Sequence, residues 1–503
     1  MLTQQAARGA SLMLSASLLG RFAALIAQVV TGLVLINEDF GVFAIAIGIQ
    51  SIAGVLQGGN ALSYLVTLPP SKRRFRTGTV FGICNGFYLV GVIPMLLFAP
   101  AIAAHFDEPR LVVLFWILAA TMMISPVRFV LRGRVNARLA FGASAKATIL
   151  NNLVAYPLTI ILAITLRDPT ALALPVLLGA LAEVVYLWTV AKPDIEDFRP
   201  RRRFVMPLLH QFRWLIIGAI MTSLFNRGDY MVAEFLVETA VLGTYFFGYQ
   251  LAVQPGRLFT TTVLNILVPV VKRLSHDKVR LAAVVRRLMS TGGFAIAAVN
   301  LSMLAMIEPL EHLIWSEKWA DTIFTVQVLS VGLTYTTILG IGTAPLMAER
   351  RYRENVICGG LRAIAVVGGA AFGAIVWGNV NGIAGSVSVA MTISAAVGTA
   401  LVFRWHGIPV LSGMIHLIRS TTPLVVAAIL TALIGNQVIE ALEPGRVGAA
   451  IALIAASVTY GVLSILSMAL IPADTRSEVL RLLPGRIRRF IPESLLQPPT
   501  RDS

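Results

Sequence analysis

The chain is predicted to be an all-α integral membrane protein of fourteen transmembrane helices, and three observations predict it. Fourteen apolar stretches, each long enough to cross a bilayer, fill the sequence almost from end to end. Basic residues keep to alternate connections between these stretches, while acids gather on the others. The composition is 57% hydrophobic and 13% charged with a mean hydropathy of +0.80, a combination foreign to water-soluble globular domains.

A spanning helix needs about 20 predominantly apolar residues. The stretches lie near 11–36, 40–64, 78–104, 111–131, 147–166, 171–191, 212–236, 240–271, 288–307, 321–347, 355–377, 380–403, 420–439 and 447–470. The first lacks a basic leader of any size and is about as long as a bilayer is thick, so it reads as a retained helix. The even-numbered connections hold Lys72 to Arg76, Arg132 to Arg138, Arg199 to Arg203, Lys272 to Arg287 and Arg350 to Arg353. The odd-numbered ones hold Glu38, Asp39, Asp107, Glu108, Asp168, Glu238, Glu308, Glu311, Glu440 and Glu443.

Of the 41 basic residues, 32 fall on the first side with the two termini, 4 on the other and 5 within the stretches. Of the 25 acids, the same division is 10, 12 and 3. Basic connections stay in the cytoplasm, so both termini are expected there, and a missing span would invert every later loop. The net charge of +16 is thereby accounted for without nucleic acid as a partner, and gives affinity for anionic lipid head groups. Cys84 and Cys358 both fall inside apolar stretches and read as small buried residues.

Two halves of the chain resemble one another. Phe40-Gly41-Val42-Phe43-Ala44 opens the second stretch and Leu242-Gly243-Thr244-Tyr245-Phe246 the eighth. Phe106-Asp107-Glu108-Pro109-Arg110 precedes the fourth, and Trp315-Ser316-Glu317-Lys318-Trp319 the tenth. The offsets are 202 and 209 residues, so one duplication with small insertions accounts for both, chance recurrence of short patterns being the alternative. Parallel repeats are a common transporter plan, with the substrate site between the halves. The expected architecture is therefore a lobe over 1–191, an amphipathic linker over 192–211, a second lobe over 212–403, an added helix pair over 404–470, and a basic tail over 471–503. The tail is amphipathic and expected to lie on the inner leaflet, with a solvated tail as the alternative.

Charges buried in hydrocarbon are costly and mark candidate functional sites. Arg21, Arg227 and Arg257 lie well inside stretches one, seven and eight, with Asp229 in the seventh and Glu183 in the sixth. Arg128 and Arg362 lie nearer the ends, where snorkelling to phosphate accounts for them, and Glu234 lies close to the end of the seventh. Arg227 and Asp229 are two residues apart and project about 200° apart on a helix, so each needs its own partner. Gln254-Pro255-Gly256-Arg257 predicts a helix break that carries a cation. Together with neutral residues such as Asn151, Gln254 and Asn300, the three arginines predict a wet, cationic cavity suited to phosphate or pyrophosphate. Pairing between helices is the alternative for each. Asp229 and Glu183 are candidates for coupling to a cation or for pairing with an arginine, and an arginine beside Asp229 is expected to hold it ionised.

At these residues the chain resembles the polysaccharide-biosynthesis flippases of the multidrug/oligosaccharidyl-lipid/polysaccharide exporter superfamily. Arg8-Gly9 through Gly20-Arg21, followed by Glu38-Asp39-Phe40-Gly41-Val42-Phe43, is similar to that family's first two helices. Asp229 with Leu242-Gly243-Thr244-Tyr245, Pro269 to Leu274, and Glu317-Lys318-Trp319 through Ala348 resemble its seventh, eighth and tenth. The resemblance implies a V-shaped bundle of two lobes with alternating access in a bacterial inner membrane. It also implies movement of a lipid-linked oligosaccharide, typically on undecaprenyl pyrophosphate, for exopolysaccharide, capsule or O-antigen synthesis. Polysaccharide polymerase and export machinery are then candidate partners. Arg21 and Asp229 match family positions, whereas Arg227, Arg257 and Glu183 rest on burial alone.

Two relatives of the same fold compete with this reading. A multidrug/cation antiporter calls for acids lining the amino-terminal lobe, where Glu183 is the only one inside a stretch. A lipid II flippase differs only in what lies beyond the pyrophosphate. A membrane glycosyltransferase or polymerase is disfavoured by outer connections of at most about 13 residues and the lack of an Asp-x-Asp pattern or a Gly-rich phosphate loop. The six histidines lie in or near connections without metal spacing, so no metal, cofactor or catalytic residue is expected.

Overall fold

A computed structural model of the chain describes residues 19–54, 70–138, 140–257, 278–349, 351–442 and 445–482, and these form helices and short turns without a strand. A bilayer supplies no partners for backbone N–H and C=O groups, so only closed hydrogen-bond ladders of this kind span it. The protein is an all-α, multi-pass membrane protein.

The helices in order are α1 (Leu19–Val34), α2 (Asn37–Ala53), α3 (Pro70–Leu97), α4 (Ala99–His105), α5 (Arg110–Ala137), α6 (Phe141–Leu166), α7 (Thr170–Ala191), α8 (Arg202–Ala233) and α9 (Thr239–Ala252). They continue as α10 (Lys278–Ile314), α11 (Ile323–Ala348), α12 (Tyr352–Trp377), α13 (Val380–Trp405), α14 (Val410–Ala441), α15 (Arg446–Ser467) and α16 (Ala473–Leu482). Ten helices among the described residues are long and apolar enough to cross a membrane. The two parts of α8, Arg202–His210 and Arg213–Ala233, meet at a 65° bend and bring the number to eleven if they are counted together as one span. Parts of the first, second and eighth expected spans fall at 1–18, 55–69 and 258–277, outside the described residues.

Local chemistry sets the helix boundaries. The Ile36 N–H donates to Asp39 Oδ2 at 3.2 Å, which ties down the first turn of α2. Asn379 Oδ1 accepts from the Gly382 N–H at 2.8 Å and starts α13. Arg167, Lys192 and Gly378 end α6, α7 and α12 in the left-handed region. Beyond α9, two helices begin about ten residues before their apolar stretches: α10 at Lys278 rather than 288, and α14 at Val410 rather than 420. Their leading turns carry Arg280, Arg286 and Arg287, or His416 and Arg419, which fail a hydropathy test but still complete helical hydrogen bonds.

The chain divides into two compact units, Met1–Phe246 and Phe247–Ser503. In the first, α6 and α5 both pack on α7, and α2 packs on α3, α5 and α8. In the second, α10 is the central helix and packs on α11, α14, α15 and α16, while α13 bridges α11 and α12. Leu281, Met289, Leu339, Cys358, Val402 and Phe403 build an apolar core within it.

Candidate functional site

In the first unit the buried polar chemistry converges on α8. Arg227 is half-buried and donates from its guanidinium to Ser51 Oγ of α2 at 2.8 Å. The Ser51 hydroxyl gives its own proton to the Ile47 carbonyl at 2.6 Å, which leaves its oxygen to accept. Asp229 is fully buried and accepts a hydrogen bond from the Tyr245 hydroxyl of α9 at 2.7 Å. Its other oxygen has no hydrogen-bond partner among the described residues. The two neighbours thus use separate partners, as their opposed directions require, and the group bonded to Asp229 is a phenol rather than the Arg227 guanidinium.

Glu234 follows Arg227 by seven residues, so the two leave α8 within about 20° of one another. Both face α2. A β-carbon at Gly48 would stand 3.1 Å from the Glu234 carboxyl carbon. Glu234 is buried, and neither carboxylate oxygen has a hydrogen-bond partner among the described residues. Its place near the end of an apolar stretch gave it little weight in the sequence. The seven-residue spacing from Arg227 was the signal that could have raised it.

Glu183 sits at the junction of three helices. It is fully buried on α7, is bonded by Arg132 Nε, and lies 3.8 Å from Arg128 Nη1, both on α5. Arg132 Nη2 also donates to Thr148 Oγ1 of α6 at 3.1 Å. Of the two roles open to Glu183 in the sequence, these contacts are those of pairing, and Arg128 finds a carboxylate here. Nearby, Arg134 is bonded to Asp197, which also accepts from the Asp194 N–H at 2.8 Å, so α5 holds the turn that precedes α8.

Arg21 is half-buried on α1, next to Gly20, whose position abuts the Asn152 amide of α6. Asn151 lies where α6 crosses α7: its carbonyl oxygen would stand 3.0 Å, and its side-chain nitrogen 3.4 Å, from a β-carbon at Gly179.

In the second unit the predicted break is present. The helix α9 ends at Ala252, and helical backbone resumes over 254–257 with Pro255 inside it. Gln254 is half-buried and Arg257 exposed. Asn300 of α10 is buried beside this break, its Oδ1 3.1 Å from where a β-carbon of Gly256 would stand. Neither amide atom of Asn300 has a hydrogen-bond partner among the described residues.

Each unit thus carries basic and amide groups within predominantly apolar sequence, where such groups are rare. A family of proteins described as polysaccharide biosynthesis protein matches residues 33–324, more than half of the chain. The chain belongs to this family.

Two curated relatives are similar over most of their length. The lipopolysaccharide biosynthesis protein WzxC of Escherichia coli (strain K12) is 23% identical over 362 residues, 70% of this chain and 72% of that protein. The succinoglycan biosynthesis transport protein ExoT of Rhizobium meliloti (strain 1021) is 21% identical over 452 residues, 86% of this chain and 87% of that protein. Among solved structures, the lipid II flippase MurJ in an inward closed conformation matches with a TM-score of 0.69 at 13% identity. That match covers 90% of this chain and 98% of MurJ, and it shows that the fold is shared.

Proposed function

We propose that this member of the polysaccharide biosynthesis family is a flippase that moves a lipid-linked oligosaccharide, carried on undecaprenyl pyrophosphate, across a bacterial inner membrane by alternating access. The observation that carries the reading is the match of the family over residues 33–324, which embraces the helices bearing Glu183, Arg227 and Asp229. The fold shared with a lipid II flippase supports the same class of transport, and lipid II itself is the second reading on that ground.

In this reading the lobes are 1–191 and 212–403, linked through 192–211 and followed by the helix pair of 404–470 and the basic tail. Both termini lie in the cytoplasm, on the side that carries most of the arginine and lysine. Arg21, Arg227 and Arg257, with Asn151 and Gln254, line the path of the pyrophosphate and sugars, for which guanidinium is the fitting partner. Asp229 serves helix pairing or coupling. The function is transport and not catalysis, and a polysaccharide polymerase and export machinery act on what is delivered.

The test is loss and rescue in the source organism. Deletion should abolish the polysaccharide and accumulate its lipid-linked repeat unit with the sugars facing the cytoplasm, and re-expression should reverse both. Intact polysaccharide together with a peptidoglycan defect would favour lipid II. A deletion strain normal in both would overturn the proposal.

A further inference from the structure

In the second unit, a pocket of about 610 Å3 opens between the first turns of α14 and the segment that joins α15 to α16. Its apolar wall is formed by Leu411 and Ile415 of α14 and by Leu470 and Ile471 after α15. Its polar wall is formed by Ser412, His416 and Arg419, all from α14. Positions 411, 415 and 419 follow one another at a spacing of four, so one helix face presents leucine, isoleucine and arginine in line.

The polar groups of this pocket divide into those that are used and those that are not. His416 Nε2 lies 3.0 Å from Thr475 Oγ1 and 3.5 Å from Asp474 Oδ1, so it is engaged by α16. Asp474 also lies 3.9 Å from Arg286 of α10, and Glu478 is bonded by Arg287. These contacts fix α16 across α10 and α14 as one side of the pocket. Arg419 is exposed and has no hydrogen-bond or ion-pair partner among the described residues, and the Ser412 hydroxyl has none either. Side chains on a helix tilt toward its N-terminus, so Arg419 leans back toward the level of Ser412.

The geometry points to an anionic phospholipid of the leaflet on the basic side, with its phosphate between Arg419 and Ser412 and its glycerol and upper acyl chain on Leu411 and Leu470. Each part of the lipid meets a matching group. Leu411 and Leu470 are 75% and 73% exposed, apolar surface that an acyl chain covers. Arg419, the one guanidinium among the described residues that line the pocket, balances the single negative charge of a phosphodiester and can bond two of its oxygens. The more highly charged pyrophosphate of a lipid-linked sugar would find that one arginine among the described lining residues. This lipid site stands independently of the transport reading.

The test is lipid retention by the full-length protein, delipidated and then offered phosphatidylglycerol, phosphatidylethanolamine or a polyprenyl pyrophosphate, with bound lipid read by native mass spectrometry. Phosphatidylglycerol should be retained over phosphatidylethanolamine, and Arg419→Gln should reduce that retention about tenfold, the loss of one charge-assisted contact. Arg404→Gln, which removes another exposed cation, should leave it unchanged. Leu411→Glu on the exposed wall should expel the lipid without disturbing the core. Equal retention of the two phospholipids, equal loss in the Arg419 and Arg404 variants, or preference for the polyprenyl pyrophosphate would each overturn the assignment.

Discussion

Gly41 of α2 and Gly243 of α9 press on each other's helices reciprocally: a β-carbon on Gly41 would overlap the Thr239 carbonyl oxygen, and one on Gly243 would overlap that of Asn37. Both pairs, 41 with 243 and 37 with 239, are related by the same offset of 202 residues. The contact is thus reciprocal, each glycine meeting a backbone carbonyl on the other helix. In the other pair of repeated motifs, Asp107 and Ser316, 209 residues apart, share a left-handed backbone with φ of 52°. The Asn37 amide seals the first contact by donating to Thr244 Oγ1 at 3.0 Å.

Gly41→Val is accordingly expected to destabilise the protein by about 1–3 kcal/mol, because the colliding atom is backbone and cannot rotate away. Gly243→Val should do the same. Gly86→Ala is the control, since a β-carbon there meets nothing within 4 Å, and it should be neutral or slightly stabilising. Thermal unfolding of the purified variants in one detergent measures the difference. Equal melting temperatures for Gly41→Val and Gly86→Ala would refute the close approach.

The bond between Tyr245 and Asp229 predicts a small, coupled effect. Tyr245→Phe leaves a buried carboxylate without its donor, and interhelical hydrogen bonds in membranes contribute about 0.6 kcal/mol on average and up to about 1.7. Asp229→Asn should cost a similar amount, and the double variant should cost less than the two together. Additive losses would mean that the residues act apart. If export by Asp229→Asn persists but loses its dependence on the proton gradient, Asp229 is a coupling site. Unchanged gradient dependence leaves it a pairing residue.

How much of this was legible in the sequence depends on the range of the interaction. Helix positions follow from apolar length, and the end of α9 at Ala252 follows from Pro255 and Gly256, because these causes are local. The early starts of α10 and α14 were hidden because hydropathy sees the arginines, while the backbone ladder does not. That Arg227 and Asp229 need different partners follows from helical geometry. That the partners are Ser51 and Tyr245 does not, because Ser51 lies 176 residues away in the chain. Glu234 was undervalued for a related reason. Closeness to the end of a stretch says nothing of the α2 face that covers it.

Glu183 should prove essential for stability before it proves essential for transport. Removing one partner of a buried ion pair costs roughly 3–5 kcal/mol, and the partial exposure of Arg128 and Arg132 puts Glu183→Gln at the lower end. Arg132→Gln should cost less, since Arg128 remains near the carboxylate. The measurement is membrane abundance followed by thermal unfolding. A Glu183→Gln protein of normal abundance and melting temperature that fails only in transport would reverse the assignment to pairing.

The three arginines of the proposed path should show the opposite pattern. Gln at position 21, 227 or 257 keeps a hydrogen-bonding side chain but removes the charge, so abundance should stay close to that of the parent while polysaccharide export falls. Arg227 is the most exacting case, because its guanidinium already donates to Ser51 and a structural role would act through that bond. Ser51→Ala separates the two roles, since it removes the bond and keeps the cation. Export should therefore survive Ser51→Ala and fail in Arg227→Gln. Arg227→Lys adds the geometric test: lysine keeps the charge but cannot make the bidentate contact of guanidinium with phosphate. If Arg227→Lys exports poorly at normal abundance, the fork geometry is what matters, and if it exports normally, the charge alone suffices. Loss of Arg227→Gln and Ser51→Ala together from the membrane would assign Arg227 to holding α8 against α2.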